Sequence, residues 1–86
     1  MGQNFCFRIN TCDKEGNTLL TYACMNGDFK IIKYLLDNRA NPNVVNITKN
    51  TPLYYALMNH EYEIADLLIK NGANDNIQNI EGLTPW

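Results

Sequence analysis

The sequence predicts an all-α solenoid, in which short helix–turn–helix units stack side by side and are joined by β-hairpin loops. Three observations point there. Sliding the 86-residue chain against itself by 33 positions brings fourteen identical residues into register when residues 18–50 are laid over 51–83. Self-similarity at a fixed period marks a repeat architecture. Within each copy, apolar residues recur at the three-, four- and seven-residue spacing of a helix with one buried side. Between those stretches, turn residues return at matching offsets: Asn26-Gly27 beside Asn59-His60, and Asn38-Arg39 beside Asn71-Gly72.

Each element follows from local chemistry. Thr18 and Thr51 open a first helix over 19–25 and 52–58, because a threonine hydroxyl accepts one of the N–H groups left free in the first turn. Pro52 gives up only an N–H that would be unbonded there. The pairs Leu20/Leu53, Tyr22/Tyr55, Ala23/Ala56 and Met25/Met58 fall on this helix. A second helix is expected over 29–37 and 62–70. Its apolar residues are Phe29, Ile32, Leu35 and Leu36 in one copy and Tyr62, Ala65, Leu68 and Ile69 in the other.

The Asn-rich stretches that follow are too polar and too short for another helix, so they should project as turns or hairpins. Asn26/Asn59, Asn38/Asn71, Asn41/Asn74, Asn43/Asn76 and Asn46/Asn79 all recur, so asparagine sits where a structure reuses it. The outward faces of the second helices carry opposite signs: Lys30, Lys33 and Asp37 match Glu63, Asp66 and Lys70. Ion pairs between the two helices are expected, each contributing about 0–1 kcal/mol and favouring this stacking order over others.

The period, together with Gly16-Asn17-Thr18-Leu19-Leu20-Thr21-Tyr22-Ala23-Cys24 and Asn50-Thr51-Pro52-Leu53-Tyr54-Tyr55-Ala56, resembles the ankyrin repeat. Asn26-Gly27-Asp28 and Leu67-Leu68-Ile69-Lys70-Asn71-Gly72-Ala73 add to the likeness, which runs from Asn10 onward. In that register residues 1–86 form a single domain. Residues 13–45 and 46–78 are repeats, 1–12 the remnant of a preceding one, and 79–86 the start of a truncated third. Thr21 and Tyr54 stand where the family usually has His, and Arg39 and His60 where it usually has a turn Gly. A non-glycine residue with left-handed backbone costs roughly 1–2 kcal/mol. Cys24 takes a place that the family fills with a small buried residue.

Several functions are set aside by composition. A formal charge of -2 argues against nucleic-acid binding, which favours a basic stripe. No apolar run is long enough to cross a membrane, and no secretory leader is seen. Met1-Gly2-Gln3-Asn4-Phe5-Cys6 resembles a myristoylation start, but Cys6 replaces the expected Ser or Thr. Three cysteines, Cys6, Cys12 and Cys24, with no C-x-x-C pair, fit a reducing, intracellular and cytoplasmic setting. The single histidine, His60, lies in a turn beside Glu61 and Glu63 with no nucleophile, so no catalytic, cofactor or metal site is expected.

Likeness to ankyrin repeats implies a non-enzymatic protein–protein interaction module, with a protein partner docking on the hairpin tips and the concave face of the first helices. Carried over position by position, the contact residues are Lys14, Glu15, Asn17, Met25 and Asn26, then Ile47, Thr48, Asn50, Met58 and Asn59, and finally Ile80, Glu81 and Leu83. For Met25 and Met58, packing between helices is the alternative. A regulatory or targeting segment of a larger multidomain enzyme is the runner-up role. Repeat arrays need polar caps, and none is visible. Apolar ends marked by Phe5, Phe7 and Trp86 therefore predict self-association.

Overall fold

The computed structural model describes residues 9–75. They form four helices: α1 (Leu19–Asn26), α2 (Phe29–Asp37), α3 (Pro52–Met58) and α4 (Tyr62–Lys70). These match the expected elements to within one residue. Consecutive helices pair, α1 with α2 and α3 with α4. The two pairs then stack, α1 lying closely on α3 and α2 more loosely on α4. The joining loops are turns, with one isolated bridge, Cys12 to Thr18, among the described residues.

The caps explain why the first helices begin where they do. The Thr18 hydroxyl accepts from the Thr21 backbone N–H, while the Thr18 N–H donates to the Thr21 hydroxyl, both at 3.3 Å. Thr21, standing where histidine was expected, thus completes a reciprocal cap. Thr51 accepts from the Tyr54 N–H at 3.2 Å, with Pro52 at the first helical position. Asp28 caps α2 by accepting from the Ile31 N–H. Glu61 makes no such bond at α4, although Glu63 and Lys70 complement that helix's dipole at its two ends.

Left-handed backbone occurs at three matched places in the 33-residue register, and at each place one copy has glycine and the other does not. The pairs are Gly16 (φ 82) and Lys49 (φ 62), Gly27 (φ 73) and His60 (φ 60), and Gly72 (φ 99) and Arg39 (φ 72). The expected strain at Arg39 and His60 is therefore present, and Lys49 is a third case that the sequence reading did not name.

The core is one continuous cluster running through both pairs, with Leu20, Cys24, Ile32, Leu53, Ala56, Ile64 and Leu68 almost fully buried. Two sequence expectations need correction. Phe29, Tyr62 and Ile69 are exposed, whereas Ile64 is buried. The buried stripe of α4 is therefore Ile64, Ala65 and Leu68, because α1–α2 cover the side of α4 on which Ile64 lies. The charges also pair differently. Lys33 bonds Asp37 at 3.2 Å and Lys70 bonds Asp66 at 3.1 Å, each four residues apart on its own helix. Neighbours on one helix surface meet more easily than side chains on two loosely packed helices, so the inter-helix pairing does not form.

Candidate interaction surface

The two loops that precede α1 and α3 are built by one device used twice. Asp13 and Asn46 occupy equivalent positions 33 residues apart. The Asp13 Oδ1 accepts from the N–H groups of Glu15 and Asn17, each at 3.0 Å. The Asn46 Oδ1 accepts from the N–H groups of Thr48 and Asn50 at 3.1 and 3.0 Å, and from the Thr48 hydroxyl at 2.8 Å. A side chain that gathers its own loop's donors imposes a turn without any sheet. Gly16 lets the two loops touch, since a Cβ there would lie 2.9 Å from the Asn46 Cα. The Ile47 N–H donates to the Glu15 carbonyl at 2.9 Å, which links the two tips directly.

Each loop is also tied to its helix through a tyrosine. The Tyr22 hydroxyl donates to Asp13 Oδ2, and the Asn46 Nδ2 donates to the Tyr55 hydroxyl at 2.8 Å. Asn17 and Asn50 reach the same two hydroxyls, at 3.4 and 3.1 Å. The Tyr22 bond holds the Asp13 carboxyl below its usual 3.8, and the Asp13 carboxylate holds the Tyr22 hydroxyl above its usual 10.0. Between the copies, the Asn46 Nδ2 also donates to the Asn17 Oδ1 at 2.9 Å.

The candidate contact residues divide into two groups. Lys14, Glu15, Ile47 and Thr48 are exposed at the linked tips, with Ile47 63% exposed. Asn26, Met58 and Asn59 are exposed at the far ends of α1 and α3, and Met25 is half-buried beside them. The Asn59 Nδ2 donates to the Met25 carbonyl at 3.2 Å and holds those ends together. A helix of this length separates the groups by roughly 10–12 Å.

Asn17 is a correction: it is buried and bonded inside, because its amide serves the contact between the copies. Asn50 is half-buried, with its Nδ2 bonded to Thr48 and Tyr55. Ile80, Glu81 and Leu83, like Phe5, Cys6, Phe7 and Trp86, lie outside the described residues. Sequence reasoning left out Val45 and Tyr22, both exposed.

The groups with chemistry of their own are placed apart. Burial pushes the Cys24 thiol up to about 12. Cys12 is exposed, and His60 is exposed with its Nδ1 3.0 Å from the Tyr62 hydroxyl. Among the described residues no three His, Cys, Asp or Glu side chains come together as a metal site would require. No described helix is long and apolar enough to cross a membrane.

Comparison with known proteins places the architecture. No curated protein sequence matches the chain. A family model for ankyrin repeats, in three copies, matches residues 3–79. With the 33-residue period, the paired helices and the capped loops already in place, the chain belongs to the ankyrin repeat family.

Proposed function

We propose that this chain is a non-enzymatic protein-binding module that takes its partner on the loop tips and the adjoining face of α1 and α3. Ankyrin repeats are generally protein–protein interaction modules, and the finer reading concerns which residues make the contact. The observation that carries it is Ile47. This large apolar side chain is 63% exposed on a loop whose backbone is fixed by Asn46 and by the bond to Glu15. An exposed apolar group on a preorganised loop binds with little ordering cost. Exposed Met58 and half-buried Met25 add adaptable apolar surface at the other end of the first helices.

A pull-down from native extract, followed by affinity measurement on the protein it identifies, tests this. Ile47→Ala and Met58→Ala should each weaken binding about tenfold, while melting stays within a few degrees. Leu68→Ala, at a fully buried site, should cost roughly 2–5 kcal/mol of stability. Unchanged affinity in every tip and helix-end variant would refute the proposed surface, as would equal melting losses for Met58→Ala and Leu68→Ala.

A further inference from the structure

The loop that holds Ile47 carries a second chemical signal. The three matched loop openings read Asp13-Lys14-Glu15, Asn46-Ile47-Thr48 and Asn79-Ile80-Glu81, and only the middle one has the form Asn-x-Thr. That tripeptide is the acceptor for N-linked glycosylation, which sets a bulky sugar chain on the asparagine amide and belongs on an accessible loop. Here the asparagine is only 9% exposed. Both hydrogens of its Nδ2 are used, one toward the Asn17 Oδ1 at 2.9 Å and one toward the Tyr55 hydroxyl at 2.8 Å. The Thr48 hydroxyl is turned onto the Asn46 Oδ1 at 2.8 Å and also accepts from the Asn50 Nδ2. The backbone is equally close-set, since a Cβ on Gly16 would lie 2.9 Å from the Asn46 Cα.

We propose that Asn46 is a glycan acceptor only while the chain is unfolded, and that the sugar and the native loop exclude one another. In the transfer, the Asn46 Nδ2 attacks the anomeric carbon of an oligosaccharide carried on a polyisoprenyl pyrophosphate. A C–N bond replaces an N–H bond, the sugar–phosphate C–O bond breaks, and the proton and the lipid pyrophosphate leave. One of the two amide hydrogens is lost. If it faced Asn17, a buried acceptor loses its donor. If it faced Tyr55, the sugar takes the place of that hydroxyl. Neither position holds a sugar ring without parting the two copies, so the order of events decides. Tyr55 and the whole of α3–α4 follow Asn46 in the chain. At roughly 5–20 residues per second of synthesis they trail it by about 1–5 s, and in that interval the amide lacks its native partners. A chain made into a glycosylating lumen is modified before it folds, whereas one made in the cytosol folds unmodified. The folded module is thereby tied to compartments that hold no such glycosyl donor.

The test sends the full chain into the secretory pathway of cultured animal cells behind an added leader and compares it with the chain made in the cytosol. Peptide mass mapping should find the glycan on Asn46. The glycosylated chain should show no cooperative melting and be cut by trypsin about tenfold faster or more, because cleavage tracks the open population. Blocking synthesis of the lipid-linked oligosaccharide should restore protease resistance in the same compartment, with no substitution at all. Thr48→Ala, which destroys the acceptor, should do likewise, whereas Thr48→Ser, which keeps it, should not. Made in the cytosol, Thr48→Ala should melt within a few degrees of the natural chain, since Thr48 is exposed. A chain glycosylated at Asn46 that melts like the cytosolic one overturns the proposal, as does an Asn46 that leaves the lumen unmodified. Protease sensitivity that persists with the donor blocked overturns it too, since the cause then lies in the lumen and not in the sugar.

Discussion

Replacing Asn46 with alanine should be among the most damaging polar substitutions in this chain, and the structure allows its cost to be worked through. The amide makes five hydrogen bonds, three accepted at Oδ1 from Thr48 and Asn50, and two donated from Nδ2 to Asn17 and Tyr55. The losses are unequal. Thr48 is exposed, so water replaces its bonds at small cost. The Tyr55 hydroxyl still receives the Asn50 Nδ2. The Asn17 Oδ1 is left inside a buried residue without this donor, and a buried acceptor so orphaned costs about 1–3 kcal/mol. Adding a partial loss from the loop bonds gives a total of about 2–4 kcal/mol. Against a typical domain stability of about 5–15 kcal/mol, that is a large share.

Urea unfolding with a common slope reads this directly. A cycle with Asn17→Ala isolates the cause: removing Asn17 as well removes the orphan, so the double variant should be less damaged than the sum of the singles. Asn46→Asp supplies a second control. It keeps the loop acceptor but sets a carboxylate oxygen against the Asn17 Oδ1, so it should be at least as harmful as alanine at neutral pH. A cost for Asn46→Ala below about 0.5 kcal/mol, or an additive cycle, would refute the reasoning, since surface substitutions stay within that range.

Three further outcomes follow from the same geometry. Gly16→Ala should lose about 1–3 kcal/mol more than Gly72→Ala by urea unfolding. Both have positive φ, but only at Gly16 does the new Cβ meet backbone, the Asn46 Cα at 2.9 Å, while at Gly72 nothing lies within 4 Å. With its thiol pushed up to about 12 and fully buried, Cys24 should resist maleimide at pH 8 in the folded chain and react on unfolding, whereas exposed Cys12 reacts in both states; peptide mass mapping distinguishes them. The Asp13–Tyr22 bond should make stability depend on pH at both extremes. Its contribution through Asp13 is present above 3.8 and lost as pH falls through the lower folded value. Its contribution through Tyr22 is present below 10.0 and lost as pH rises through the higher folded value. The gap in stability between the natural chain and Tyr22→Phe should therefore be constant from about pH 5 to 9 and narrow outside that range.

The helices were legible because their signals are local. Thr18, Thr51 and Pro52 mark starts, and the Asn-Gly and Asn-His breaks mark ends, so the boundaries came within one residue. What depends on neighbours was not legible. Ile31 and Ile64 are identical pairs in the repeat, yet one is half-exposed and the other buried, because only the second has a helix pair against it. The charge pattern on α2 and α4 fits pairing along a helix or across two helices equally well, and packing distance selects the first. Asn17 read as a tip residue because loop position is visible in sequence, whereas the partner of its amide, 29 residues on, is not.

The asparagines show why repetition specifies this fold more firmly than hydrophobic pattern alone. Asn38 and Asn71 each donate to a carbonyl four residues back, of Tyr34 and Leu67, and so close the ends of α2 and α4. Asn10 and Asn43 act between copies: their Oδ1 atoms accept from the N–H groups of Asn41 and Asn74 at 2.6 and 2.7 Å, and their Nδ2 atoms donate to the carbonyls of Arg39 and Gly72. Each such side chain measures the spacing to the next turn at both its oxygen and its nitrogen. A helix pair slipped by one residue would keep much of its apolar contact but lose both bonds. Apolar burial thus supplies attraction with little regard to register, and the recurring amides fix the register. The recurring asparagines of the described residues therefore encode a particular stacking geometry in the loops, which holds Ile47 and its neighbours in fixed relative positions.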